Sequence, residues 1–215
     1  MGIVVNDSQN LFMLQTRSNS YAFGIDNQGL VRHLYWGSRI NAMEDFEMPE
    51  LAEVSTNDPV YEITKEEFPV YGGLRYKEHC LKVTFADGTR DVAYEYVNYE
   101  IQKNEQCEEL VIILKDKHYA LVMELHYKIY EAYDLMERFV VLKNESTEVM
   151  QIEKLHSGQF HVPYEGLNFR NVHGHWGAEQ QKFVQKVDYG KIIFENRRGI
   201  SSHNHNPYFI LDQDA

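Results

Sequence analysis

Leu121, Met123, Leu125, Tyr127 and Ile129 alternate with Val122, Glu124, His126 and Lys128. A period of two sends successive side chains to opposite faces of a strand, so this run predicts a strand with one face buried. Similar runs occur at Leu11–Thr16, Tyr21–Asp26, Leu30–Trp36, Leu81–Phe85, Val92–Ile101, Glu109–Leu114, Met136–Lys143, Val149–Leu155 and Lys191–Glu195. Turn residues separate them, as in Asp26-Asn27-Gln28-Gly29 and Asn144-Glu145-Ser146-Thr147. Asp87-Gly88, set between two alternating runs, is the strongest single hairpin signal. Many short strands at close spacing, with no sustained helical period, predict an all-β fold: an antiparallel β-sandwich with few short helical turns. The Met43–Val54 segment reads as a short helix around Pro49, and residues 44–78 otherwise as a long, acidic surface loop. Loops of that length inside a compact domain tend to be functional.

Composition narrows the partners. Hydrophobic residues make up 43% of the 215, enough for a core, and the 15 Tyr and 11 Phe favour strands. Lys and Arg number 21 against 33 acids, a formal charge of −12 that repels phosphate backbones and argues against nucleic acid. The amino terminus lacks the basic and apolar regions of a signal peptide. No run approaches the roughly 18 apolar residues of a membrane helix. Cys80 and Cys107 do not make a disulfide framework and read as reduced, half-buried cysteines of a cytoplasmic protein.

Few motifs carry chemistry. His203-Asn204-His205, with His156, His161, His173 and His175, lacks a Cys or acidic partner at zinc spacing, so these read as polar loop histidines with no metal and no cofactor. Adjacent acids such as Glu44-Asp45, Glu66-Glu67 and Glu108-Glu109 carry no information in so acidic a chain. No nucleophile elbow, phosphate loop or dinucleotide fingerprint occurs. In Gly174-His175-Trp176-Gly177 the flanking glycines leave room for an indole to project and stack on a sugar ring. Read alone, the tetrapeptide favours a Trp packed between sheets, and Trp36 in Tyr35-Trp36-Gly37 reads as core. Arg197-Arg198-Gly199-Ile200-Ser201-Ser202-His203-Asn204-His205-Asn206-Pro207-Tyr208 is too specific for a random loop and reads as the end of a front module.

Taken together, Tyr21–Phe23, Gly29 through Gly37, Tyr71-Gly72, Asp87-Gly88, Arg138 with Asn144, His173 through Trp176, and Arg197 through Pro207 resemble one family. It is the N-terminal domain of family 36 of the glycoside hydrolases, the large α-galactosidases. The resemblance implies a single N-terminal β-supersandwich over residues 1–215, cut before a (β/α)8 catalytic barrel. It implies a retaining enzyme for terminal α-galactosides of the melibiose and raffinose type. Its two catalytic aspartates belong to the barrel, roughly 5–5.5 Å apart, so this chain holds no catalytic residue and is inactive alone. The resemblance implies a homo-oligomer, a tetramer in the full enzyme, in which this domain braces the barrel and lends a wall to the substrate pocket. It places the substrate-facing Trp at Trp176. Where many members carry a substrate-contacting Asp, this chain has Ala52 and then Glu53, which makes Glu53 a second substrate-binding candidate. Two other classes remain open: a stand-alone carbohydrate-binding module, and a purely structural or oligomerisation domain.

Overall fold

In the computed structural model, which describes residues 2–44, 46–48, 64–73, 77–195, 199 and 204–213, the alternating runs fold as antiparallel strands. The first unit of the chain is Met1–His161. It opens with a four-stranded meander of β1 (Ile3–Asn6), β2 (Leu11–Gln15), β3 (Asn19–Ile25) and β4 (Val31–Ser38). After β5 (Leu81–Thr84), a second meander follows: β6 (Tyr94–Lys103), β7 (Glu108–Asp116), β8 (Leu121–Tyr130) and β9 (Leu135–Asn144). β10 (Gln151–Leu155) returns to pair with β5.

Alternation explains the packing. The inward residues of the two meanders form one core, including Phe12, Leu14 and Phe23 from the first and Leu110, Ile112, Leu125 and Tyr127 from the second. Rings carry it across: Phe12 stacks on Phe23 at 5.3 Å and Phe23 on Tyr127 at 4.9 Å. β2 is buried on both faces, because Leu11 and Met13 on its reverse side are covered by Met43, Ile40, Phe46 and Met48. The described part of the Met43–Val54 segment is therefore an irregular cover for β2, and none of it is helical. The only helical element among the described residues is a 3-10 turn at Glu131–Tyr133.

Three expectations fail for identifiable reasons. Asp87-Gly88 does make a tight turn, with Gly88 at φ +85 and its N–H donating to the Phe85 carbonyl at 2.9 Å. The strands on either side are not partners, since β5 pairs with β10 and β6 with β7. Thr89–Ala93 separate the turn from β6, and the Val92 and Ala93 amides are taken by the Tyr71 carbonyl and the Asp116 carboxylate. The turn therefore transfers the chain between sheets. Residues 64–70, expected on a surface loop, run through the interior, where Glu66, Glu67 and Phe68 are all 0% exposed. Trp36, expected in the core, is 39% exposed, because β4 starts buried at Val31 and emerges towards Ser38.

The second unit is Val162–Ala215. Its sheet has the order β12-β11-β13, from β11 (Leu167–His175), β12 (Ala178–Lys186) and β13 (Ile210–Gln213). Lys191–Glu195, expected as a strand, is not one. Phe169 anchors this unit between the stacked rings of Phe194 and Phe209, each 5.2 Å away. Among the described residues no helix is long and apolar enough to cross a membrane.

Candidate functional site

Two features stand out: acids buried in the first unit, and an aromatic residue thrust into solvent in the second. The buried acids belong to the segment 64–70. Glu67 accepts hydrogen bonds from the Tyr21 hydroxyl at 2.6 Å and the Tyr127 hydroxyl at 3.1 Å, and its carboxylate lies 2.8 Å from the Arg138 guanidinium. His33 Nδ1 is 2.9 Å from the same carboxylate. Arg138 also donates to the main-chain carbonyls of Glu67 and Gln159, and its guanidinium sits 5.0 Å from the Tyr127 ring centre and 5.2 Å from that of Phe160. Burial alone would raise the Glu67 pKa, but Arg138, His33 and Tyr21 outweigh it and hold the carboxyl below its usual range. Burial and then Glu67 push the Tyr21 hydroxyl well above its usual value, and burial does the same for Tyr127.

Glu66 faces a different cation. Arg32 lies 3.4 Å from it while binding Asp26 at 2.7 Å and donating to the Thr64 hydroxyl at 2.9 Å. The two neighbouring glutamates thus pair with arginines of opposite sheets, Arg32 on β4 and Arg138 on β9. A glycosidase needs two carboxylates facing a substrate cavity. These two are fully buried and each is committed to an arginine, so their arrangement fastens the segment to the sandwich. Among the described residues, no three His, Cys, Asp or Glu side chains converge as metal ligands. Cys80 is buried rather than half-buried, and burial pushes its thiol up to about 11.

Trp176 lies at the tip of the β11–β12 hairpin, where His175 pairs with Ala178 across a two-residue turn. The local sequence explains the shape. Gly177 takes φ +77, which favours glycine, and its N–H donates to Glu179 Oε1 at 3.0 Å. At Gly174 a Cβ would meet the Ala178 carbonyl oxygen at 2.5 Å, so only glycine lets the strands close behind the tip. The indole is 90% exposed. A Trp packed between sheets, which the tetrapeptide alone favours, is thereby overturned: a two-residue tip has no sheet above it. The described part of the terminal motif lies along the same strand. His205 bridges to His173, and the Asn206 backbone and side-chain amides both donate to the Val172 carbonyl, at 3.1 and 2.9 Å. Asn171 donates to the Asn206 and Tyr208 carbonyls. The signal in that motif is thus in part a clamp on β11. Glu53, Ala52, Arg197, Arg198 and Ile200 through His203 lie outside the described residues. Sequence reasoning did not assemble the Glu67–Arg138 cluster: Tyr21 and Arg138 entered only as part of the family resemblance, and Glu66-Glu67 only as an uninformative acidic pair.

The described strands make an all-antiparallel β fold whose interior glutamates are ion-paired and whose β11–β12 hairpin carries an exposed indole. Residues 29–215 match the glycosyl hydrolase family 36 N-terminal domain, and the chain belongs to that family. It is 26% identical over 215 residues to the probable alpha-galactosidase G of Aspergillus terreus, an alignment that covers 93% of this chain and 29% of that protein. The crystal structure of the GH36 alpha-galactosidase AgaB from Geobacillus stearothermophilus shares its fold with a TM-score of 0.86 at 22% identity, over 99% of this chain and 32% of that one. A doubly substituted AgaA from the same organism, solved in complex with raffinose, matches with a TM-score of 0.81 at 23% identity, over 94% and 31%. The chain spans under a third of the length of each of these relatives.

Proposed function

We propose that this chain is the non-catalytic N-terminal domain of a cytoplasmic, homo-oligomeric retaining α-galactosidase acting on terminal α-galactosides of the raffinose and melibiose type. In this reading residues 1–215 act as one supersandwich domain that braces the catalytic barrel, makes contacts between subunits and supplies part of the pocket wall. The observation that carries it is the exposed Trp176 indole on a hairpin shaped by Gly174 and Gly177. An aromatic this accessible contributes nothing to its own unit's core, and an indole face stacks well on the apolar side of a sugar ring. Family membership and the raffinose complex of a relative support the substrate class. Trp176 would act by stacking and water exclusion, since indole has no usable pKa, and Glu53 remains a second candidate contact.

The test is kinetic. In the full-length enzyme, Trp176→Ala should lower kcat/KM for raffinose by roughly threefold to tenfold, the value of one aromatic contact. Unchanged kinetics would remove Trp176 from the pocket. The 215-residue chain alone should show no turnover of a chromogenic α-galactoside. Turnover that disappears when one of its own acids is mutated would overturn the non-catalytic assignment.

A further inference from the structure

Three turns of the first unit meet around a groove of about 480 Å³: the turn after β5, the β7–β8 turn and the β9–β10 connection. Its walls include Phe85, Tyr119 and Met150, and its rim Asp87, Ser146 and Glu148. Tyr119 is held at three points, two of them on its side chain. Phe85 stacks on it with ring centres 3.6 Å apart, nearly parallel at 8°. Its hydroxyl donates to Asp87 Oδ2 at 2.8 Å. Its backbone N–H, like that of His118, donates to Asp116 Oδ1 at 2.8 Å. The third turn is tied in by the Glu145 amide, which donates to the Ala120 carbonyl at 2.8 Å.

The chemistry of this groove is selective. A pre-oriented aromatic wall favours a flat apolar surface, while carboxylates and a hydroxyl on the rim favour hydroxyl donors. No Lys or Arg lines it, so two carboxylates at the rim disfavour an anionic ligand. The volume falls in the range of about 300–1,000 Å³ typical of small-molecule sites. We propose that this groove is a second carbohydrate-binding subsite, taking a neutral pyranose by stacking on Tyr119 and hydrogen bonding its hydroxyls to Asp87 and Glu148. It shares no residue with the Trp176 hairpin and does not depend on the role given to Trp176.

The 215-residue chain, isotope-labelled, is titrated with galactose, melibiose and raffinose while backbone amide shifts are followed. Saturable millimolar shifts are expected at residues 85–88, 118–120 and 146–150. Asp87→Asn and Glu148→Gln, both on the rim, should weaken binding several-fold each without unfolding. Tyr119→Ala should abolish it, and Tyr119→Phe should retain part. Trp176→Ala should leave these shifts unchanged, which separates this subsite from the pocket-wall reading. The proposal is overturned by the absence of saturable shifts, by shifts that persist in both rim variants, or by equal affinity for cyclohexanol or for an alkylammonium ion.

Discussion

The interior of the first unit and the surface of the second invert the usual distribution of side chains. In the first, Arg32, Glu66 and Glu67 are at most 1% exposed. In the second, Trp176, Tyr189 and Ile193 stand largely in solvent. Charges inside a core are tolerated only when paired and hydrogen-bonded, because each unpaired ion costs several kcal/mol. Exposed apolar side chains cost a unit little stability directly, and clustered they mark surfaces meant for something else. The comparison therefore separates residues that hold the fold from residues that add little to it, and it predicts opposite outcomes for mutations in the two places.

The largest effect is expected from Arg138→Ala. It leaves the fully buried Glu67 carboxylate without its nearest cation and strips two main-chain carbonyls of a donor. Removing one partner of a buried pair typically costs about 3–5 kcal/mol, readable by urea unfolding. A loss below about 1 kcal/mol would mean that the cluster behaves as a surface pair, and the contrast between the units would fail at its strongest point.

Gly174→Ala comes next, and it sharpens the second half of the contrast. Its Cβ would lie 2.5 Å from the Ala178 carbonyl and 2.7 Å from Glu179 Cα, both backbone atoms that cannot swing away. A cost of about 1–3 kcal/mol, typical of overpacking, should fall on the β11–β12 hairpin. Hydrogen exchange should show faster exchange for the amides of β12, with the first unit unaffected.

Acid titration tests whether Glu67 is ionised in the fold. Its folded pKa lies below the usual carboxylate value, while the unfolded value is about 4.3. Its contribution is therefore complete above the unfolded value and fades as pH falls through the lower folded one. Glu108 and Glu153 are also lowered, Glu153 to about 2, so the wild-type slope is shared and only a difference is informative. Glu67→Gln should cost about 1–3 kcal/mol at neutral pH, and the gap to wild type should narrow below pH ~4. A gap independent of pH would show that the carboxylate's charge is not what Arg138, Tyr21 and His33 recognise.

Legibility in the sequence follows the same divide. β2 to β10 were readable because their apolar residues keep a period of two, whether the inward positions are fully buried, as in β2, β7 and β8, or only partly buried against the core, as Tyr96 and Tyr99 of β6 and Met136, Val140 and Leu142 of β9 are. β11 and β12 were not: Asn171 follows Phe169 on one face of β11, and Glu179-Gln180-Gln181-Lys182 of β12 is polar on both faces, so neither shows an apolar period of two. The strap at 64–70 was misread because two adjacent glutamates signal solvent. Their partners, Arg32 and Arg138, lie 34 and 71 residues away in sequence, and only the tertiary fold brings them together. The Asp87-Gly88 turn was legible as a turn and misleading as a hairpin, since a turn reverses the chain without choosing a strand's partner.

Trp176→Ala carries the smallest expected effect on stability and is for that reason the most discriminating variant. With the indole 90% exposed, its removal withdraws almost no area from any core. The hairpin geometry belongs to Gly174 and Gly177, which stay in place. The unfolding free energy should thus remain within about 0.5 kcal/mol of wild type, as for surface substitutions away from caps, charges and strain. Deleting a core aromatic would instead cost about 3–5 kcal/mol. A loss of that size would show that the indole folds back onto its own unit, and a side chain needed there is not available to line a substrate pocket. An unchanged unfolding curve joined to weaker raffinose turnover in the full-length enzyme would assign Trp176 to the substrate rather than to the fold.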